Sequence, residues 1–102
     1  MILSKHLAVA ALAWLGCAVM AEAGPVERAC MQSGRDAANR SLCGCIEKAA
    51  GLTLRASDER RVAQFFTDPD KAQEVWTSTS KSDDAFWERY KAFAEFARVS
   101  CQ

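Results

Sequence analysis

Residues 41–51 read Ser-Leu-Cys-Gly-Cys-Ile-Glu-Lys-Ala-Ala-Gly (SLCGCIEKAAG) and combine helical periodicity with two cysteines. Apolar side chains recur here at the spacing of one helix face, at Leu42, Cys45, Ile46 and Ala49. This spacing predicts a helix over residues 36–50, ended by Gly51 in a left-handed conformation. Residues two apart on a helix point about 200° apart, so Cys43 and Cys45 should bond to different partners.

The chain after residue 24 carries further helix signals and few strand signals. Val, Ile and Thr are sparse, and no Asn-Gly or Asp-Gly hairpin turn occurs there. A short helix is predicted at residues 26–32. Capping residues at Ser57, Asp68-Pro69 and Ser82 predict helices at 57–66, 69–78 and 83–100. We therefore expect an all-α domain, a compact bundle of four to five short helices stapled by two disulfides.

The last predicted helix carries one apolar stripe. Its members follow one another at steps of four, three, four and four residues: Phe86, Tyr90, Phe93, Ala97 and Cys101. Phe96 lies off this stripe and is expected either to rest on a neighbouring element or to be partly exposed. Packing the stripe against the face that carries Cys45 brings Cys45 near Cys101 and leaves Cys30 for Cys43. The swapped pairing, Cys30–Cys45 with Cys43–Cys101, stays open at this point.

The first 23 residues have the order of a secretory signal peptide. Lys5 gives a positive start, residues 7–19 are uncharged, and residues 21–23 read Ala-Glu-Ala, with small residues at the positions that a signal peptidase reads. Cleavage is expected between Ala23 and Gly24. The chain then divides into a leader, residues 1–23, and a disulfide-stapled helical domain, residues 24–102, that is periplasmic or secreted.

The cysteine count agrees with removal of the leader. The full chain has five cysteines, and loss of Cys17 leaves an even set: Cys30, Cys43, Cys45 and Cys101. An even set in a short exported chain is typical of a disulfide framework. The alternative is that Cys17 is the lipidated first residue of a lipoprotein, but Trp14 stands where such a signal normally requires a Leu.

Charge and composition exclude several classes of function. The full chain has 13 Lys and Arg against 13 Asp and Glu. The leader takes Lys5 and Glu22, so twelve of each remain, interspersed and without a basic stripe for nucleic acid. The domain has no apolar run of about 20 residues, so no membrane span is predicted in it. The one histidine of the full chain, His6, lies in the leader, so the domain has none. We therefore expect no enzyme, no catalytic residues, no metal and no cofactor.

Two local features suggest chemistry and have simpler explanations. Cys43 and Cys45 could act as a dithiol or as soft metal ligands, yet they sit in the middle of a predicted helix, with no histidine to support them. Several aromatic residues could line a ligand pocket, although aromatics at helical spacing in so small a domain are expected to form its core: Trp76, Phe86, Trp87, Tyr90 and Phe93.

Four stretches of the chain carry a resemblance to a known group of proteins. They read Arg-Ala-Cys-Met-Gln-Ser at 28–33, Leu-Cys-Gly-Cys-Ile at 42–46, Asp-Glu-Arg-Arg at 58–61 with Phe65-Phe66 and Asp68-Pro69, and Phe-Trp-Glu-Arg-Tyr at 86–90. With these stretches the chain resembles a family of small exported proteobacterial proteins, some of which are labelled arginine transporters. The resemblance implies export and disulfides, and it brings no catalytic residues.

The leading functional interpretation is a small non-enzymatic periplasmic protein that binds a protein or envelope partner. One alternative is a small-solute or amino-acid binding protein that is accessory to transport. The other is a thiol-disulfide or metal-handling protein that uses the CxC pair.

Overall fold

The computed structural model describes residues 23–102, which form five α-helices and, within this range, no strand. The helices are α1 (Pro25–Gln32), α2 (Arg40–Thr53), α3 (Ala56–Thr67), α4 (Asp70–Thr77) and α5 (Lys81–Ser100). The all-α prediction is confirmed. The predicted leader, Ala23 excepted, and the alternative at Cys17 lie outside the described residues.

Both ends of α2 differ from the prediction. The helix begins four residues later than expected because Asn39 is its N-cap, with the side-chain oxygen accepting a hydrogen bond from the Leu42 N–H at 2.8 Å. It also continues past Gly51, which lies inside the last turn rather than after it. The left-handed glycine is instead Gly34, with φ of 75°, in the connection between α1 and α2. A glycine permits a helix end without requiring one.

The start of α3 was predicted at Ser57, but the helix begins one residue earlier, at Ala56, and a different chemical group caps it. The N-cap is Arg55, and the capping group is the Asp58 carboxylate, which accepts a hydrogen bond from the Arg55 N–H at 3.2 Å. A carboxylate in the first turn of α3 therefore replaces the predicted hydroxyl cap.

The next helix, α4, was predicted at 69–78. It begins after Pro69, which occupies the N-cap position itself.

The start of α5 was predicted at Ser82–Asp83, but the helix begins at Lys81. Ser80 is the N-cap, and its hydroxyl accepts a hydrogen bond from the Asp83 N–H at 3.1 Å. Two serines separated by one residue both satisfy the sequence signal for a cap, and the earlier one is used. The helix ends after Ser100, as predicted.

The core lies between α1, α2, α3 and the inner faces of α4 and α5. Its buried members come from all five helices: Val26, Ala49, Ala50, Val62, Phe65, Val75, Phe86 and Phe93. The predicted stripe of α5 supplies Phe86 and Phe93, with Tyr90 and Ala97 partly buried beside them. Phe96 is 42% exposed, as expected from its position off the stripe.

Trp76 was predicted to belong to the core, and this prediction is wrong. The side chain is 61% exposed, whereas its neighbour Val75 is buried. The helix α4 has two turns and buries one narrow face, so consecutive residues about 100° apart cannot both point inward. Val75 occupies the inward position, and Trp76 remains outside.

Candidate functional site

The cysteines form two disulfides that both start from the second turn of α2. Cys30 bonds to Cys43 and ties α1 to α2, with a Cα–Cα distance of 5.6 Å. Cys45 bonds to Cys101 and ties the end of α5 to α2, with a Cα–Cα distance of 5.7 Å. The predicted pairing is confirmed, and the swapped pairing is wrong.

The disulfides bear on the CxC alternative. Cys30 and Cys43 are buried, at 4% and 0% exposed, while Cys45 and Cys101 are partly exposed. All four cysteines within residues 23–102 are bonded, and this part of the chain contains no group of three or more His, Cys, Asp or Glu side chains placed to hold a metal ion. Cys43 and Cys45 leave α2 toward different helices, as their spacing predicts.

The aromatic residues form a packed cluster rather than the walls of one pocket. The Tyr90 ring is the centre, edge-on to Phe65 at 5.2 Å between centroids and tilted against Trp87 at 5.0 Å. Phe86 and Phe93 lie on either side of it, at 6.4 and 6.1 Å. Burial raises the pKa of the Tyr90 hydroxyl, opposed by the charge of Arg35. Trp76, predicted to belong to this group, lies outside it.

Two small cavities flank the cluster on the side of the α1–α2 connection. One of about 100 Å³ is lined by Arg35, Val62, Phe65, Phe66, Tyr90 and Phe93. A second of about 120 Å³ lies on the other side of Arg35 and Phe66, against Cys30 and Leu42. The Arg35 guanidinium lies 6.0 Å from the centre of the Phe66 ring. Sites for drug-sized ligands typically span about 300–1,000 Å³.

Larger depressions are open to solvent. One of about 450 Å³ lies over the disulfide between Cys45 and Cys101, where Leu42 and Cys45 face the last residues of α5 and the C-terminus. Another of about 290 Å³ lies between α1 and α3, lined by Arg28, Gln32 and Gln64 among others. Neither brings together a nucleophile with a base.

Two ion pairs connect α3 to α5. Asp58 is 5% exposed and accepts two hydrogen bonds from the Arg89 guanidinium, at 2.7 and 3.0 Å. Arg89 holds the pKa of the Asp58 carboxyl below its usual value, against the opposing effect of burial. Arg61 bonds to Asp83 at 2.7 Å and lies over the Phe86 ring at 4.5 Å. The hydrogen bonds of Asp58 to Arg89 and of Asp83 to Arg61 join residues far apart in the chain, and they were not predicted from the sequence.

A third charged group lies where α1, α2 and α3 meet. Glu47 on α2 accepts a hydrogen bond from the Val26 N–H at 3.2 Å and so caps α1, whose N-cap residue, Gly24, has no side chain. Its second oxygen, Oε2, is buried and has no hydrogen-bond partner within the described part of the chain, residues 23–102. Burial, followed by the adjacent Glu59 carboxyl, raises the pKa of Glu47.

Glu47 is not among the residues predicted from the sequence, although its position on α2 carries a signal. Glu47 lies four residues after Cys43 and three before Ala50, so all three share one face of α2. Once Cys43 is paired with Cys30, that face must contact α1. A carboxylate on it is therefore a candidate cap for the first helix.

Large apolar side chains remain exposed outside these groups. Besides Trp76, they are Met31 at 42%, Leu52 at 73%, Phe96 at 42% and Val99 at 58% exposed. Phe96 and Val99 share one face of α5 with the exposed Ala85 and Ala92. This outer face points away from the core stripe of the same helix.

Comparison with known proteins gives no family and no structural relative. No protein-family model, no curated protein and no solved structure matches the chain. Within residues 23–102, none of the helices has the length and apolar character that crossing a membrane requires.

Proposed function

We propose that this chain is a small non-enzymatic periplasmic protein that binds a protein or envelope partner. The leader sequence supports export, and the two disulfides support an oxidising compartment. Within the described residues, side chains that are rich in chemistry are engaged in structural contacts: cysteines in disulfides, and Asp58 in an ion pair. A partner would therefore contact exposed side chains on the surface rather than these groups.

The observation that carries the proposal is the exposure of Trp76. A tryptophan that is 61% exposed leaves a large apolar area in water, although the same domain buries Phe65, Phe86 and Phe93 almost completely. Burying a large aromatic side chain contributes about 1.5–3 kcal/mol. Tryptophan is also enriched among the few residues that dominate protein interfaces. Trp76 is therefore the residue through which a partner would gain most.

The outer face of α5 is a separate apolar surface. Trp76 precedes the turn that leads into α5, while Phe96 and Val99 lie in the last two turns of this 20-residue helix. A helix of that length spans about 30 Å. The two surfaces therefore lie toward opposite ends of the domain, and variants at each can be compared independently.

The test uses a photo-crosslinking amino acid at position 76 of the full chain, exported with its own leader. The expected result is one discrete crosslinked species in the cell envelope, reduced when unlabelled protein is overproduced as competitor but not when the competitor is Trp76→Ala. A crosslinker at Glu74, exposed on the opposite face of the same helix, is the matched control. The proposal is wrong if position 76 gives no specific crosslink and if Phe96→Ser also leaves the envelope association unchanged.

Small-solute binding is the second candidate, favoured by the cavities beside Arg35. The guanidinium at their rim favours a carboxylate over a cationic side chain, so a short organic acid suits this position better than a basic amino acid. A thermal shift that appears with carboxylates and disappears in Arg35→Gln would support it. Equal melting temperatures with and without solutes would remove it.

A further inference from the structure

The backbone at Gly24 lies in direct contact with the Glu47 carboxylate. A Cβ atom placed on Gly24 would fall 1.7 Å from Glu47 Oε1, so the carboxylate occupies the space that a side chain would fill. A Cβ lies about 2.5 Å from its own backbone nitrogen, so the Gly24 nitrogen lies no more than about 4.2 Å from Oε1. That upper bound is close to the distance at which an ion pair forms.

Among the ion pairs of residues 23–102, none gives this carboxylate a counter-charge. Oε1 accepts the hydrogen bond from Val26, but Oε2 is buried and accepts no hydrogen bond from residues 23–102. Glu59 reaches the same place from α3 and adds a second carboxyl group rather than a cation. A buried carboxylate without a cation is costly unless it binds a proton or a positive group.

The sequence supplies a positive group at this point. Cleavage between Ala23 and Gly24 adds water across their peptide bond, and it leaves a carboxylate on Ala23 and an ammonium group on Gly24. The leader leaves with its carboxylate. The ammonium stays on a residue whose nitrogen already lies next to Glu47.

We infer that the α-ammonium group created on Gly24 by leader cleavage binds the Glu47 carboxylate, with Glu59 beside it, and fixes the start of α1 against α2 and α3. The ammonium carries three donors and can reach Oε2 as well as Oε1. The cut therefore completes a partly buried ion pair that the uncleaved chain lacks. This inference rests on the export step of the proposed function and is independent of Trp76.

Four charged groups surround the new terminus: Glu27 and Arg28 on α1, Glu47 on α2 and Glu59 on α3. Before cleavage, the Arg28 guanidinium donates a hydrogen bond to the Ala23 carbonyl, and that acceptor is removed with the leader. Three of the four groups are carboxylates, so the folded chain should hold the amine proton more tightly than the unfolded chain, whose pKa is about 7.7–8.0. The resulting stabilisation is present below that pH range and is lost as the pH rises through the folded value.

The experiment uses the full chain, exported with its own leader and purified from the periplasm. N-terminal sequencing and intact mass identify the first residue. Trace labelling with acetic anhydride across pH 6–10 then gives the reactivity of the α-amine in the folded protein and in urea. We expect Gly24 as the first residue. A tenfold tighter hold on the proton makes the amine about sevenfold less reactive at pH 7.5 when folded.

Two variants assign the effect to its source. Glu47→Gln should restore the reactivity toward that of the unfolded chain, while Glu74→Gln, an exposed acid on α4, should not. The comparison of folded with urea-unfolded wild type decides the matter even if Glu47→Gln does not fold. A first residue other than Gly24, or equal reactivity of the folded and unfolded amine, would overturn the inference.

Discussion

Removing the disulfide that joins Cys45 to Cys101 should cost this domain much of its stability. The bond closes a loop with a sequence separation of 56, and the chain-entropy estimate for a loop of that length is about 4 kcal/mol. Domains of about 80 residues are typically stable by roughly 4–12 kcal/mol. The double variant Cys45→Ala/Cys101→Ala should therefore stand near the limit of folding at 37 °C.

The assay is equilibrium urea unfolding, followed in parallel by tryptophan fluorescence and far-ultraviolet circular dichroism. The matched control is Cys30→Ala/Cys43→Ala, whose loop has a sequence separation of 13 and an estimated contribution of about 3 kcal/mol. These two sulfurs are buried, so their removal also loses packing. The free energies alone need not separate the two variants.

The dependence of the free energy on urea separates them. A disulfide that acts through the unfolded chain keeps that chain compact, so its removal raises the m-value, and more so for the larger loop. We expect the larger rise for the Cys45/Cys101 variant. A loss below about 1 kcal/mol, with an m-value equal to that of the wild type, would refute the loop-closure reasoning.

Four further outcomes are expected. Arg89→Met should destabilise the domain more than Arg98→Met on the same helix, because Arg89 pairs with the buried Asp58 whereas the Arg98 pair is exposed; equal urea midpoints at pH 7 would contradict this. Since the pKa of Asp58 is lowered on folding, its contribution is present above the unfolded value near 3.9 and is lost as the pH falls through the folded value, so the difference between wild type and Arg89→Met should shrink below pH 4. Gly34→Ala should cost about 1 kcal/mol because φ is positive there, whereas Gly51→Ala, in open space inside α2, should stabilise by about 0.5–1 kcal/mol; melting temperatures that shift in the same direction would count against both assignments. Alkylation of the native oxidised protein should add no label, as mass spectrometry would detect, and one or two labels without denaturant would favour the CxC redox alternative.

The sequence was sufficient for the helices, and it favoured the observed disulfide pairing while leaving the swapped one open, because both predictions depend on periodic signals. The α5 stripe and the α2 face that carries Cys45 each identify one surface, and surfaces that must be buried together bring Cys45 to Cys101. Helix starts were less predictable, since Ser80 and Ser82 offer the same hydroxyl cap and only the local backbone selects between them.

The charged contacts could not be predicted in the same way. Asp58 lies in the first turn of α3 and caps that helix. Its hydrogen bond to Arg89, however, joins residues 31 apart and depends on how α3 packs against α5. Trp76 was misassigned for a related reason. A two-turn helix has too few residues for periodicity to distinguish Val75 from Trp76 as the inward side chain.

The position of the two disulfides also determines how the molecule would carry mechanical force. A pull on the two ends of residues 24–102 would travel along the backbone to Cys30, cross to Cys43, pass through Gly44 to Cys45 and cross to Cys101. That covalent route bypasses α3, α4 and nearly all of α5, which would bear no tension while the bonds hold. Because the disulfide between Cys45 and Cys101 closes a covalent loop that contains these helices, a single peptide cut between α3 and α4 would release no fragment.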